Sequence, residues 1–395
     1  MSFTALRPDS FPWFDYSRYT FSLGLGHGER AYLSGHSASE YDADAGRIVV
    51  KGGMAEQART AYAKIEAILG AAGLGFGDVI RLVENVTLDG IDHYAEAEGV
   101  RAEVFGEHTP VVSTVCVQRL LRPKAWIEIE VVAGPAEAPV RLSSNGRAAY
   151  ADAREAAGIV YLASALPVDE RGQLVGEGDL LVQTEQVYDN ISRRLQALGL
   201  DESHIAKTVD FIHPDALEAY KHTGKVRKER LSAPYPGATG ILMPRIAGPP
   251  GALLQVDVLA TREPMEPVNP GWDRYDKLTY APGLKAGNVL FLSGQAALDP
   301  ETEQAVHADD VVEQARYTYD NLLKVLETAG AGPEHLVKTI EYVTPEGLDG
   351  YRGVAGIRQE LLHEPYPAST GIVCGGLLRP EFKIEVDALA LLDPA

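Results

Sequence analysis

Three segments of the chain alternate apolar and polar residues. AWIEIEVVA (125–133), ALLQVDVLA (252–260) and EFKIEVDALA (381–390) each read as a strand with one face in a core. A second pattern, with apolar residues three and four apart, also occurs three times. It begins at Met54 (MAEQARTAYAKIEAILGAAGL), Leu180 (LLVQTEQVYDNISRRLQALGL) and Val311 (VVEQARYTYDNLLKVLETAGA). That spacing predicts amphipathic helices, and Gly73, Gly199 and Gly330 mark their C-terminal ends. Each helix carries a Gln five residues before a Tyr: Gln57 and Tyr62, Gln183 and Tyr188, Gln314 and Tyr319.

The patterns belong to one repeated unit. Short apolar strands, YLSGHSA from Tyr32, YLASALP from Tyr161 and FLSGQAA from Phe291, lie about 130 residues apart. After each helix come a strand (VIRLVENVT, IAKTVDFIH, LVKTIEYVT), a second helix, and a loop running into a further strand. The loops are TPVVSTVCV (109–117), APYPGATGIL (233–242) and EPYPASTGIV (364–373). The unit is β-β-α-β-α-β-β. The Pro- and Gly-rich stretches 134–140 and 261–273 read as linkers. They divide the chain into domains at 1–134, 140–262 (the degenerate copy) and 273–393.

Composition narrows the function. A net charge of -20 disfavours nucleic acid and anionic membrane surfaces. No apolar run reaches membrane-spanning length, and the N-terminal residues lack the basic start and apolar core of a signal peptide, so a cytoplasmic protein is expected. Cys116 and Cys374 sit in echoing strand contexts and read as buried thiols. No C-x-x-C pair or ligand-spaced cluster occurs; neither a metal nor a cofactor is expected. The Gly-rich GLGHGE (24–29) does not lie between a strand and a helix as a phosphate loop does.

The unit resembles the RidA/YjgF family, of chorismate-mutase-like α+β fold. The third copy carries most of the likeness, in YAPGLKAGNVLFLSGQAALDP, EQARYTYDNLLKVLETAGA and PYPASTGIVCGGLLRPEFKIEVDALA. Family members form trimers with a ligand cleft at each subunit interface. The resemblance therefore implies a pseudo-trimeric barrel within one chain, helices outside, and three clefts free to diverge.

The family's deaminases hydrolyse imines and enamines with a strand Glu that positions water, a loop Arg that holds the substrate carboxylate, and an aromatic cover. The resemblance places the aromatic position at Phe21, Tyr150 and Tyr280, and the Glu position at Glu128, Gln255 and Glu385. The Arg position falls on Ser113, Ala238 and Ser369, so the clamp is missing in all three copies, and serine does not replace a bidentate guanidinium. Arg101, Arg227 and Arg358, at one position of the second helix, are candidate replacements; the bland alternative is pairing with Glu103, Glu229 and Glu360. His36, where the third copy has Gln295, is a candidate acid–base partner of Glu128 in a cleft with Ser113; otherwise it is a packed substitute for Gln. Trp126, Thr114 and Thr370 complete the expected binding residues. The loop serines lack an adjacent base and read as bracing or anion-binding hydroxyls.

The expected activity is hydrolysis of a small imine, enamine or related C–N compound. Alternatives on the same architecture are a cyclic amide hydrolase, which would need Ser–Lys pairs, a chorismate-type enzyme, or a ligand-binding protein without chemistry. The second copy, with Gln255 for Glu, is expected to be inactive.

Overall fold

The computed structural model describes residues 3–142 and 150–392. Met1 and Asp393, the expected outer limits of the first and third domains, lie outside the described residues. The predicted unit is present three times. In the first, the hairpin Gly24–His27 and Arg30–Leu33 precedes the helix Met54–Ala71, the strand Val79–Thr87, the helix Tyr94–Phe105, and the strands Val111–Val117 and Ile127–Ala133. The last strand lies between Arg30–Leu33 and Val79–Thr87, antiparallel to both, and Val79–Thr87 runs parallel to Val111–Val117. The long helices are Met54–Ala71, Leu180–Gln196 and Val311–Thr328. Asp179 and Asp310 cap the latter two by accepting from backbone N–H groups of the first turn. Gly73, Gly199 and Gly330 end the three helices at φ +70°, +70° and +76°, the left-handed conformation glycine adopts without strain. In the second copy the short helix is broken into Leu217–Tyr220 and Thr223–Arg230.

The recurring Gln and Tyr have structural duties. Gln57, Gln183 and Gln314 are buried, and each side-chain amide braces its helix against the entry to the last strand. Gln57 donates to the Gly52 and Lys124 carbonyls and accepts from Trp126 N–H; Gln183 and Gln314 repeat this with Leu253 and Lys383 N–H. Tyr62 and Tyr319 donate to Glu84 and Glu341. The second copy has the shorter Asp210 there, which serves Arg227 and Tyr220 and leaves the Tyr188 hydroxyl without a hydrogen bond among the described residues.

Each copy packs its helices on one face of its sheet over its own core. The opposite faces meet in two further cores built from all three copies. One joins Leu25, Tyr32, Ile159, Tyr161, Leu284 and Phe291; the other joins Val115, Leu120, Phe211, Ile241, Tyr342 and Cys374. Both cysteines are buried and free, and burial pushes their thiols up to about 11 and about 12. No helix among the described residues is long and apolar enough to cross a membrane.

The expected barrel does not form: the sheets stay open, and none closes on itself. They are linked edge to edge instead. Arg119–Leu120 of the first copy extends the third sheet, and Gly376–Leu377 of the third extends the second. Bridges join Ser22 to Ala368, Ala151 to Val111, and Ala281 to Gly237, so the residue leading into each hairpin touches the loop strand of another copy.

The inner faces also exchange charges. Arg81 of the first copy pairs with Asp257 of the second at 2.5 Å, Lys207 of the second with Asp387 of the third at 2.9 Å, and Lys338 of the third with Glu130 of the first at 2.6 Å. These pairs, with Tyr32, Tyr161 and Tyr342, surround a cavity of about 110 Å³. A buried ion pair adds little net stability, but removing one partner strands the other charge. Lys338→Met is therefore expected to destabilise the protein by about 3–5 kcal/mol, seen as a lower urea midpoint. Lys338→Met with Glu130→Gln should recover most of that loss, because the introduced amide oxygen can still accept from Asn85 as Glu130 does. A single variant as stable as the wild type would count against the pair.

Candidate functional site

Three seams, the candidate clefts, lie where the last strand of one copy faces the loop strand of another. In the first, Glu128 sits opposite Thr370 of the third copy, with Gly35 between them. Thr370 Oγ1 accepts from Gly35 N–H at 3.0 Å, and a Cβ placed on Gly35 would lie 2.5 Å from Glu128 Oε1. The Glu385 cleft repeats this arrangement. Thr239 of the second copy accepts from Gly294 N–H at 2.9 Å, and a Cβ on Gly294 would collide with Glu385 Oε1. The glycine is needed because the carboxyl occupies the space a side chain would fill.

The remaining cleft has changed at both positions. Ser164 stands where the other copies have Gly35 and Gly294, and Gln255 replaces the glutamate. The Gln255 amide donates to Thr114 O and to Ser164 Oγ, each at 2.9 Å, and Ser164 in turn donates to Asp257. The two substitutions compensate each other and stitch this cleft shut.

Glu128 and Glu385 accept no hydrogen bond among the described residues. Burial first, and then Glu130 on the same strand, push the Glu128 carboxyl up to about 8 against the pull of Lys338, Lys64 and Arg122. Burial and Asp387 push Glu385 to about 8 as well, against Lys207. Each is thus a neutral acid at pH 7, next to a seam between two copies.

Other expected residues have different roles. His36 is 3% exposed, its Nε2 is 2.9 Å from the Leu23 carbonyl oxygen, and burial pushes it down to about 3. It is the packed neutral residue, not an acid–base partner for Glu128. Ser113 does not share the Glu128 cleft: it lies 3.4 Å from Arg81 Nη2, and Thr114 bonds the Tyr94 hydroxyl, both on the Gln255 side. The residues that meet the first copy's cleft are Ser369, whose N–H donates to Ser34, and Thr370.

Arg101, Arg227 and Arg358 are not free to hold a substrate carboxylate, because Glu84, Asp210 and Glu341 already neutralise them in buried pairs. The partners expected on the helix are engaged elsewhere in two copies, Glu103 with Arg59 and Glu360 with Arg316. Arg101 also donates to Tyr150 of the second copy at 2.7 Å, and Arg358 to Thr20 of the first at 3.0 Å, so the networks position the covering segments. Phe21 stacks on Tyr19, Trp126 stacks on His93, and Gln295 is buried beside Ser293 O.

Four features lay outside the sequence reading. Lys64 fills the position of Asn190 and Asn321. It donates to the Ser37 and Ser39 carbonyls much as Asn190 donates to Leu166 and Val168, and burial lowers it to about 7. The pattern W-x-x-Y-x-x-x-T-[FY], at 13–21 and again at 272–280, precedes the first hairpin in the two copies that keep glutamate. Arg122 bonds the Tyr19 hydroxyl at 3.2 Å within electrostatic reach of Glu128. Arg274 lies beside Tyr275 and Tyr280. Two signals were available: the repeated Trp-Tyr segment, and the LLRP shared by 120–123 and 377–380, which contains Arg122. Arg274 had none, because Asp15 stands at its place in the first copy's segment. Among the described residues no group of three or more His, Cys, Asp or Glu side chains is placed to hold a metal.

The chain is similar to known proteins. The family model described as Endoribonuclease L-PSP matches residues 15–134, 142–262 and 276–392. A RutC family protein of Pyrococcus abyssi is 28% identical over 134 residues, 34% of this chain and 95% of that protein. The 2-iminobutanoate/2-iminopropanoate deaminase of Escherichia coli K12 is 30% identical over 115 residues, 28% of this chain and 86% of that enzyme. The crystal structure of a YjgF/YER057c/UK114 family member from Mycobacterium tuberculosis is 30% identical, covering 34% of this chain and 100% of the other, with a TM-score of 0.27. Matched in three consecutive stretches, the chain belongs to the endoribonuclease L-PSP family, the RidA/YjgF group.

Proposed function

We propose that the chain is a single-chain counterpart of a RidA-like trimer and hydrolyses a small imine, enamine or related C–N compound in the clefts of Glu128 and Glu385. The observation that carries this reading is the pair of seam glutamates, Glu385 buried and Glu128 half-buried, each free of hydrogen bonds among the described residues and raised to about 8. The cyclic contacts among the copies support the trimer-like assembly. The E. coli relative named as an imine deaminase supports the choice of reaction.

The chemistry needs one proton carrier and one water. The neutral carboxyl gives its proton to the imine nitrogen and becomes a carboxylate. It then takes a proton from water as the C–O bond forms and the C=N π bond becomes the nitrogen lone pair. The regained proton goes to the amine, the C–N bond breaks, and the carboxylate removes the hydroxyl proton as the carbonyl forms. One water is consumed, one ammonia leaves, and the glutamate ends neutral. Gln255 cannot carry the proton, so the third cleft is assigned no chemistry.

The test is hydrolysis of 2-imino acids generated in situ, in competition with semicarbazide. Wild type should divert the imine from semicarbazide. Glu128→Gln and Glu385→Gln should each remove the share of one cleft, and the double variant should lose at least about 100-fold. Wild type without effect, or an active double variant, would sink the reading. Because the neutral acid starts the cycle, kcat/KM should fall as pH rises through about 8.

The same glutamates make stability depend on pH. Glu385 goes from an ordinary 4.5 to about 8 on folding, so the folded protein loses stability as pH rises between those values. Glu385→Gln removes that cost. Relative to wild type, it should gain up to about 5 kcal/mol between pH 4.5 and pH 8 in urea titrations, with no further gain above.

A further inference from the structure

The loop serines stand at the family's arginine position, and the helix arginines are already neutralised, yet beside Tyr280, which Glu385 also influences, lies a cation that no anion engages among the described residues. Arg274 lies on the turn Asp273–Lys277 that leads into the strand Gly283–Ala286. Its guanidinium is 5.1 Å from the centre of the Tyr275 ring, and Tyr275 meets Tyr280 edge-on at 5.6 Å. Its Nε is shielded from solvent without a hydrogen-bond partner, and no ion pair engages it among the described residues. This contrasts with Arg81, Arg101, Arg227 and Arg358, each of which has a carboxylate within 4 Å.

Tyr280 connects this cation to the reacting group. Both Arg274 and Glu385 act electrostatically on its hydroxyl, and Tyr275 lies within reach of both Arg274 and Gln295. Gln295 precedes Ala296, which faces Glu385 across the strand pair. The tyrosines hold the guanidinium and leave its charge unmet. A planar cation in this position suits a carboxylate, which accepts two parallel N–H bonds.

We propose that Arg274 anchors a carboxylate in the Glu385 cleft, so that the substrate there is a small C–N compound carrying a carboxylate, with Tyr280 between anchor and acid. The proposal deepens the hydrolase reading and rests on it for the reaction, but not for binding.

The test is calorimetric titration of pyruvate, and of its uncharged amide pyruvamide, into wild type, Arg274→Gln, Arg274→Lys and Glu385→Gln. Wild type should bind pyruvate well above pyruvamide. Arg274→Gln should weaken pyruvate at one site by at least about 10-fold and leave pyruvamide unchanged, whereas Arg274→Lys, which keeps the charge but loses the fork, should fall between. Glu385→Gln should still bind pyruvate. Equal pyruvate binding by wild type and Arg274→Gln, equal binding of acid and amide, or no pyruvate binding by wild type would overturn the proposal. Thermal melts of Arg274→Lys and Arg274→Gln guard against misfolding. Imine turnover read on the same samples separates the two ideas. Turnover that does not depend on Arg274 leaves the hydrolase and removes the anchor. Arg274-dependent binding without turnover leaves the anchor and removes the hydrolase.

Discussion

The structure depends on the exchange of buried charge between copies. Each copy brings one cation and one carboxylate to the inner face of its sheet, and in every case the partner belongs to another copy. Separated, each unit would expose an apolar inner face and leave both charges buried or half-buried without a counter-ion. The clefts follow from this constraint. They form where the inner faces meet, so each is made of two copies, and the residue on the last strand of one always looks onto the loop of another.

Much of this was legible in the sequence. The alternation in 125–133, 252–260 and 381–390 located the last strands, and Gly73, Gly199 and Gly330 located the helix ends. Glu128 and Glu385 were placed by the resemblance to the RidA/YjgF family, which assigns the glutamate position in each copy. Recurrence through the three copies misled at Arg101, Arg227 and Arg358. Recurrence there reflects a recurring internal requirement, since Glu84, Asp210 and Glu341 must be neutralised wherever that strand is buried. His36 misled for a related reason: its residue type suits proton transfer, but its side chain is committed to the Leu23 carbonyl. Which copy supplies which wall is a fact of docking, and no pattern within one unit encodes it. For that reason Ser113 was grouped with Glu128 although it lies at another seam.

The three seams also show how one repeated arrangement can be edited. Two keep a glycine under a carboxyl; the third has a hydroxymethyl under an amide. The change costs little in packing, because Gln255 and Ser164 satisfy each other and Thr114 O accepts the remaining proton. A homotrimer could not make this edit at one interface alone. The single chain can, and Gln255 with Ser164 makes this one seam a hydrogen-bonded joint.

The order of copies along the chain sets the Glu128 cleft apart. Its walls come from the first and the third copies, whereas the walls of the other two come from neighbours in sequence. As the polypeptide leaves the ribosome, the first and second copies can meet early, and the Glu128 strand waits with one side open until residue 370 has emerged. That seam is therefore the last of the three to be completed. Its completion reports that the chain has been made and folded through its third copy, which the seam between the first two copies cannot report.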